Sequence, residues 1–205
     1  MKIDTVVCGD YQANCYIVYR EKGADALVID PGDDSEKIIR AINALSLKPC
    51  AILITHGHFD HLLGAARLKK TFGCGVYIGA GDADALLDAE WNALPAHTVE
   101  SFVPIHADGL LKDGDETLGS FGFTVISTPG HTKGGVTLYF QEDDLLFTGD
   151  TLFAHGFGRT DLPGGSMSQL LGSLRSLLSF PGNPTVYSGH GERETLDNVR
   201  KRYFR

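Results

Sequence analysis

The feature that most constrains this chain is residues 55–61, Thr-His-Gly-His-Phe-Asp-His. Three histidines and one aspartate lie within six positions, directly after the apolar run 51–54, which predicts a buried strand. Imidazole and carboxylate groups held this close together are ligands for zinc or another borderline divalent metal. Packed without an ion, several polar groups would need other partners. The segment therefore predicts a metal site at the end of a strand.

Composition and charge limit what can surround this site. The chain has 205 residues, 42% of them hydrophobic, which predicts a single domain over residues 1–205 with a substantial core. A formal charge of -8 argues against a nucleic-acid partner. No apolar run approaches the roughly 20 residues of a membrane helix. The four cysteines show no CxxC spacing and the N-terminus shows no secretory segment, so we expect a cytoplasmic protein.

The hydrophobic pattern alternates between strands and helices in both halves of the chain. Further strands are predicted at residues 13–19, 24–30, 76–78, 116–118, 121–127, 135–140, 145–147 and 185–187. Helices are predicted to start near residue 35, to run from 60 to 73, from 81 to 88 with Asp82 as a possible cap, and from 166 to 180, and to start again near 194. Residues 90–104 are predicted to be an irregular connection. This order favours two mixed sheets packed together with helices outside, a four-layer αββα arrangement.

Three later strand ends carry further candidate ligands. His131 follows the strand that ends near residue 127, Asp150 follows 145–147, and His190 follows 185–187. Each stands beside a glycine, which lets the backbone turn or approach closely. Because sheets collect functional loops along one edge of their strands, we expect these side chains to converge with the 55–61 segment on one pocket.

The number of candidate ligands favours two metal ions. Five histidines and two aspartates exceed the roughly four ligands of one tetrahedral zinc. The seven predicted ligands are His56, His58, Asp60, His61, His131, Asp150 and His190. His56 and His58 flank one residue of an extended segment, so they can point to the same side and form one three-ligand set with His131.

The remaining ligands predict a second metal next to the first. Asp60 and His61 would hold it together with His190, and Asp150 would bridge the two ions through its two oxygens. A shared water or hydroxide would occupy the open position. We expect two divalent ions, with zinc first and iron or manganese as alternatives.

These motifs carry a family resemblance. Residues 55–61 together with Gly130-His131, Gly149-Asp150-Thr151 and Gly189-His190 closely resemble the metallo-β-lactamase superfamily, in the same order and over nearly the whole chain. The resemblance implies the αββα fold and assigns the seven metal ligands at these positions.

Within that superfamily the chain is most similar to glyoxalase II and its short relatives, hydroxyacylglutathione hydrolases. The similarity lies in Asn14-Cys15-Tyr16, residues 149–153 and Gly158-Arg159-Thr160-Asp161. Glyoxalase II proper has a helical C-terminal extension that contacts glutathione, whereas about 15 residues follow His190 here, too few for such a domain. True β-lactamases of the superfamily commonly have cysteine at the position of Asp150, and they are exported, so both differences argue against a lactamase.

The implied activity is hydrolysis of a small-molecule thioester of the S-lactoyl (2-hydroxyacyl) type, carried by glutathione or a related thiol. A hydroxide held between the metals would attack the carbonyl, because a bound metal can lower the pKa of water to about 7. A thiolate with a parent pKa of about 8.5 then leaves without a strong general acid. Asp60, which would orient the nucleophile, His131 and Asp150 are the predicted catalytic residues.

Two alternatives stay open at this point. Persulfide dioxygenases of the same superfamily also carry a Gly-Arg-Thr-Asp segment, and they hold one iron through the equivalents of His56, His131 and Asp150. Arg159 has two interpretations: pairing with a carboxylate that pins its loop, which we favour, or contact with an anionic group of the substrate.

Overall fold

The computed structural model describes residues 1–95 and 102–203, so part of the irregular connection predicted at 90–104 lies outside the described residues. The first sheet contains β1 (Lys2–Cys8), β2 (Ala13–Tyr19), β3 (Asp25–Ile29), β4 (Lys48–Ile54), β5 (Gly75–Gly79) and β6 (Gly109–Leu111). The second contains β7 (Gly114–Leu118), β8 (Phe121–Ser127), β9 (Val136–Phe140), β10 (Leu145–Gly149), β11 (Thr185–Ser188) and β12 (Glu194–Thr195). The α-helices are α1 (Ser35–Ala44), α2 (Phe59–Leu62), α3 (Ala65–Phe72), α4 (Met167–Leu178) and α5 (Leu196–Tyr203).

Both sheets are mixed. The first has the strand order β1-β2-β3-β4-β5-β6, with antiparallel pairing from β1 to β3 and parallel pairing from β3 to β6. The second has the order β12-β11-β10-β9-β8-β7 and is antiparallel except between β10 and β11. The strands predicted at 13–19 and 24–30 are present as β2 and β3 and form a hairpin, in which Tyr16 pairs with Ile29.

Three apolar clusters separate four layers. Between the sheets, Leu27 and Leu53 of the first sheet pack with Phe123 and Phe147 of the second. The outer face of the first sheet is covered by the apolar stripes of α1 and α3, which include Ile38, Ile42 and Leu68. The outer face of the second is covered by Leu170, Leu174 and Leu177 of α4 and by Leu196 and Val199 of α5. The predicted αββα fold is therefore confirmed.

The helix predicted from Asp60 to Gly73 is broken in two. It divides into α2 and α3 around Gly64, whose N–H donates to the Pro31 carbonyl at 2.8 Å. A Cβ at Gly64 would lie 2.6 Å from the Gly32 carbonyl oxygen, so the chain passes too close to the β3–α1 turn for a larger residue. A tertiary contact therefore overrides the helical pattern, while the predicted end at Gly73 is confirmed by its left-handed φ of 71°.

Two other expectations differ in detail. The helix predicted over 81–88 is a 3₁₀ segment, Ala80–Leu86, and the Asp82 side chain accepts hydrogen bonds from two distant loops instead of capping it. The edge strands β1, β6 and β12 were not predicted, because their short or irregular patterns carry little signal. Among the described residues, no helix has the length and apolarity needed to cross a membrane.

Candidate metal centre

The ends of four strands deliver the candidate ligands to one edge of the two sheets. β4 leads into residues 55–61, and β8, β10 and β11 lead to His131, Asp150 and His190. Backbone hydrogen bonds connect the segments at this edge. Val136 N–H donates to the Thr55 carbonyl at 2.8 Å, across the two sheets, and Gly189 N–H donates to Gly149 at 2.8 Å within the second.

Two glycines make this close convergence possible. Gly149 has a φ of +48°, and a Cβ there would lie 2.3 Å from the Thr55 hydroxyl oxygen. A Cβ at Gly189 would lie 2.1 Å from an oxygen of Asp150. Real Cβ contacts are longer than this, so a side chain at either position would push the strand ends apart.

His56, His58 and His131 form a first ligand group. All three side chains are buried, and one ligand atom from each lies within 4.8 Å of the others. His58 Nδ1 faces His131 Nε2 at 2.8 Å. His131 Nδ1–H donates to the Arg159 carbonyl at 2.7 Å, which leaves its Nε2 as the lone-pair nitrogen. His56 Nδ1 lies 3.0 Å from the Thr55 hydroxyl, which turns Nε2 of that ring into the group.

Asp60, His61 and His190 form a second ligand group, with ligand atoms within 4.8 Å of one another. The Nε2 atoms of the two histidines are 3.3 Å apart. Oδ2 of Asp60 lies 3.3 Å from His190 Nε2 and 3.6 Å from His61 Nε2. His190 is the more accessible histidine of the group, with a side chain that is 28% exposed, so solvent reaches this group first.

Asp150 lies between the two groups. Its Oδ2 is 3.4 Å from His131 Nε2 in the first group and 3.5 Å from His190 Nε2 in the second. Its Oδ1 is 3.6 Å from His61 Nε2. A carboxylate in this position can contribute one oxygen to each of two ions, as the bridging prediction requires. The structure therefore brings all seven predicted ligands together, whereas their ligation of metal stays a prediction.

The first group consists of neutral imidazoles. Burial, reinforced by the neighbouring histidines, lowers the pKa of His58 to about 3. Burial also lowers the pKa of His56 well below its usual value and lowers that of His131. Since metals bind the unprotonated imidazole, these side chains are ready to ligate at neutral pH.

In the second group, by contrast, the two histidines are protonated. Burial opposes the protonation of His61 and His190, but the carboxylates of Asp60 and Asp150 outweigh it and raise the two pKa values to about 9 and about 10. Burial disfavours ionisation of both carboxyl groups, yet the facing histidines hold their pKa values below the usual range. A cation that enters this group therefore replaces the histidine protons as the counter-charge of the two carboxylates.

Asp30 is a site residue that the sequence analysis missed. It lies at the end of β3, is 1% exposed, and accepts hydrogen bonds from the N–H and the hydroxyl of Thr55, both at 2.7 Å. Its Oδ2 also lies 3.2 Å from His61 Nδ1, so it directs the other nitrogen of that ring toward the second group. The sequence offers one signal, an aspartate at the end of an apolar strand with Pro31-Gly32 after it, but the same pattern also marks ordinary strand ends.

The donor set fits divalent metal ions. His56 Nε2, His58 Nε2 and Asp150 Oδ1 are buried without a hydrogen-bond partner among the described residues. With its lone pair on Nε2, His58 carries its proton on Nδ1, which lies 2.8 Å from His131 Nε2. Orphaned acceptors of this kind are costly in a protein interior unless a cation satisfies them.

Arg159 forms the carboxylate pair that was expected. Its guanidinium donates two hydrogen bonds of 2.7 Å to Asp161, and both side chains are largely exposed. The contact with the metal centre comes from its backbone, whose carbonyl accepts from His131. A contact between the Arg159 guanidinium and the substrate stays a prediction.

A family model described as the metallo-beta-lactamase superfamily matches residues 8–190. The chain therefore belongs to this superfamily, and its fold and histidine–aspartate cluster place it among the metallo-hydrolases.

Three proteins with known names or structures are similar over nearly the whole chain. GloC of Haemophilus influenzae, a hydroxyacylglutathione hydrolase, is 32% identical over 212 residues, covering 98% of this chain and 96% of GloC. The crystal structure of BLEG-1, a B3 metallo-beta-lactamase, has a TM-score of 0.88 at 36% identity and covers 98% and 97% of the two chains. The di-iron-bound form of TTHA1623 has a TM-score of 0.83 at 36% identity and covers 95% and 96%.

Proposed function

We propose that this protein hydrolyses thioesters of the S-lactoyl (2-hydroxyacyl) type, carried by glutathione or a related thiol, at a centre of two divalent metal ions. The observation that carries the proposal is the convergence of two three-residue ligand groups with Asp150 between them. A groove of about 270 Å³ opens on His190, beside Tyr11 and Asn14, and offers room for a small substrate.

The comparisons support this choice of substrate and nuclearity. The name of GloC gives hydroxyacylglutathione as its substrate class, and GloC aligns with 98% of this chain. A similar protein binds two irons, which supports a centre of two ions; we propose zinc as the native metal, with iron or manganese as alternatives.

In the proposed reaction, the metal ions and the side chains have different roles. A bound divalent ion lowers the pKa of water from 15.7 to about 7 and polarises a carbonyl group. Asp60, whose carboxyl stays ionised beside His61 and His190, accepts a hydrogen bond from the attacking water and orients its lone pair. The leaving thiol has a pKa of about 8.5, so it departs as the anion and needs no acid from the protein.

Oxygenation of a persulfide at a single iron is the alternative suggested by residues 158–161. It needs one metal, and it leaves Asp60, His61 and His190 without a role. Metal quantitation joined to a substrate panel separates the two reactions. About two metals per chain and turnover of S-lactoylglutathione support the hydrolase. One iron per chain and oxygen consumption with glutathione persulfide contradict it, as does turnover of a β-lactam with none of a thioester.

Variants test the assignment of the site. Asp150→Ala and His131→Ala should each lower kcat/KM for a thioester by at least about a thousandfold while the circular dichroism spectrum is kept, because each removes a ligand. His155→Ala is the matched control, since His155 is 64% exposed and pairs with Glu192 outside the ligand groups. Near-normal turnover by either ligand variant would refute the assignment.

We also propose that the physiological partners are small molecules in the cytoplasm. The formal charge of -8 disfavours binding to the phosphates of nucleic acid.

A further inference from the structure

Asp82 is a buried carboxylate that the proposed reaction does not use. It lies in the 3₁₀ segment after β5 and is 4% exposed. Its Oδ2 accepts hydrogen bonds from Gly57 N–H at 2.8 Å and from the Thr132 hydroxyl at 2.6 Å. Its Oδ1 accepts from Gly134 N–H at 2.7 Å. One side chain thus satisfies three donors.

These donors belong to the two loops that carry the first ligand group. Gly57 separates His56 from His58, and Thr132 directly follows His131. The first loop comes from the first sheet and the second loop from the second sheet. Asp82 therefore joins, through one carboxylate, the backbone segments that must keep three imidazole nitrogens at a fixed mutual distance.

The packing around Asp82 leaves no room for a side chain at position 57 or position 134. A Cβ at Gly57 would lie 2.7 Å from the Cβ of Ala85 and 3.1 Å from that of Asp82. A Cβ at Gly134 would lie 2.2 Å from the Asp82 backbone nitrogen. The loops therefore reach the carboxylate only because both positions are glycine.

The choice of a carboxylate also has a physical reason. Burial of an ionised carboxyl is costly unless hydrogen bonds satisfy it, so a residue that served packing alone would be apolar. Hydrogen bonds to a charged acceptor are shorter and roughly twice as strong as neutral ones. Three of them fix the positions of both loops more firmly than apolar contact does.

We infer that Asp82 is a positioning residue for the metal group His56, His58 and His131. This inference rests on the proposed two-metal function, because it assigns Asp82 to one of the two ions. It acts by holding the Gly57 and Thr132 segments together, and so sets the distance between the ligand nitrogens before the ion binds. Groups behind metal ligands typically change metal affinity by 10- to 100-fold when they are removed.

The test is a metal titration of Asp82→Asn, with cobalt(II) as the probe and a competing chelator. The amide nitrogen of asparagine must face either Gly134 N–H or Gly57 N–H, so at least one hydrogen bond becomes a contact between two donors. We expect the affinity of one cobalt to fall about 10- to 100-fold and that of the other to change less than about threefold. Asp84→Asn, an exposed aspartate in the same segment, is the matched control.

The two cobalt sites are told apart with ligand variants. His56→Ala should remove the same absorption bands that Asp82→Asn weakens, and His190→Ala should remove the others. Equal weakening of both ions, or no difference from Asp84→Asn, would overturn the inference, because a purely structural role affects both groups alike. Retention of all cobalt by His56→Ala would overturn it too.

A substitution at Thr132 gives a second variant, which should disturb folding less than Asp82→Asn does. Thr132→Val removes one donor to Asp82 and should weaken the same cobalt about 3- to 10-fold, whereas Thr132→Ser, which keeps the hydroxyl, should restore it. If Thr132→Ser binds cobalt no better than Thr132→Val, the hydroxyl contact has no role and the inference fails. These readouts need no turnover. A wild-type protein that binds two ions and cleaves no thioester would refute the proposed substrate and leave the role of Asp82 intact.

Discussion

Asp30, which contacts the His61 ring, has a backbone conformation that most residues avoid. Its φ is +52°, in the left-handed region, where aspartate and asparagine are tolerated better than larger side chains. The conformation turns the carboxylate back over Thr55, so that one side chain accepts from the backbone, the hydroxyl and the His61 ring. Local strain is here coupled to the orientation of a predicted metal ligand.

We expect Asp30→Asn to lower the stability of the protein and to loosen the orientation of His61 in the second ligand group, without changing the backbone conformation. Asparagine tolerates the left-handed conformation, but its amide nitrogen cannot accept one of the three hydrogen bonds. The free energy of unfolding should fall by about 1–3 kcal/mol, as for a buried polar group that loses its partner. Thermal unfolding with a chelator present measures this loss. An unchanged melting temperature would show that Asp30 is not a determinant of the site.

The charges of His61 and His190 predict how the stability of the metal-free protein depends on pH. Their pKa values are about 9 and about 10 in the folded chain, against about 6.5 for an unfolded histidine. Because the folded state binds the protons more tightly, this contribution is fully present below about pH 6.5 and is lost as pH rises through the folded values. The free energy of unfolding should therefore fall by roughly 2–2.5 kcal/mol per unit between about pH 7 and 8.5, because the folded chain holds nearly two histidine protons that the unfolded chain has largely lost.

The measurement compares the pH dependence of the free energy of unfolding in chelated and in metal-loaded protein. Metal displaces the protons from His61 and His190, so the loaded protein should lack this decline. His190→Asn should show about half of it in the chelated form. Stability that rises between about pH 7 and 8.5 in the chelated wild-type protein would contradict the assignment of the two charges.

At the scale of elements, α5 holds the loop that follows Asp150. Arg202 donates to the Ala154 carbonyl and Tyr203 donates to the Gly156 carbonyl, both at 2.6 Å. The same loop carries Phe153, whose ring lies edge-on to His190 with the centroids 6.2 Å apart. The C-terminal helix thus shapes a wall of the metal cleft although it contributes no ligand.

Tyr203→Phe should loosen this wall. Loss of one hydrogen bond costs about 0.5–1.5 kcal/mol, so we expect KM for the thioester to rise about 2- to 10-fold with metal content unchanged. Amide exchange at residues 153–158 should become faster. Lys201→Ala, an exposed position on the same helix, should change neither quantity. An unaltered KM together with unaltered exchange would mean that the helix does not control the loop.

Some features of the elements and of the site are predictable from the sequence, and others are not. The convergence of His131 and His190 on the site was predictable because each follows an apolar strand and stands beside a glycine, a signal that is local in the chain. The roles of Asp30 and Asp82 depend on partners 25 to 52 positions away, and no local pattern distinguishes such an aspartate from a strand end or a helix cap. The break at Gly64 has the same origin, since its cause is the approach of Pro31.

For the whole molecule, the predicted ligands come from both sheets. His56, His58, Asp60 and His61 follow β4 of the first sheet, whereas His131, Asp150 and His190 follow strands of the second. Each ligand group combines residues from the two sheets. An ion bound by either group would therefore connect the two halves of the sandwich at one edge, in addition to the apolar core between them.

Metal removal should accordingly lower the stability of the entire fold. A ligand at 100 times its dissociation constant stabilises the folded state by about 2.7 kcal/mol, and two ions double this. For a chain of this size 1 kcal/mol corresponds to about 2–4 °C, so chelation should lower the melting temperature by about 10–20 °C. Asp150→Ala, which lacks the residue between the two groups, should lose most of that shift, whereas His155→Ala should keep it. An unchanged melting temperature after a chelator has removed all metal from the wild-type protein would contradict binding of the ions by the folded state, because any ion that binds only the folded state must stabilise it.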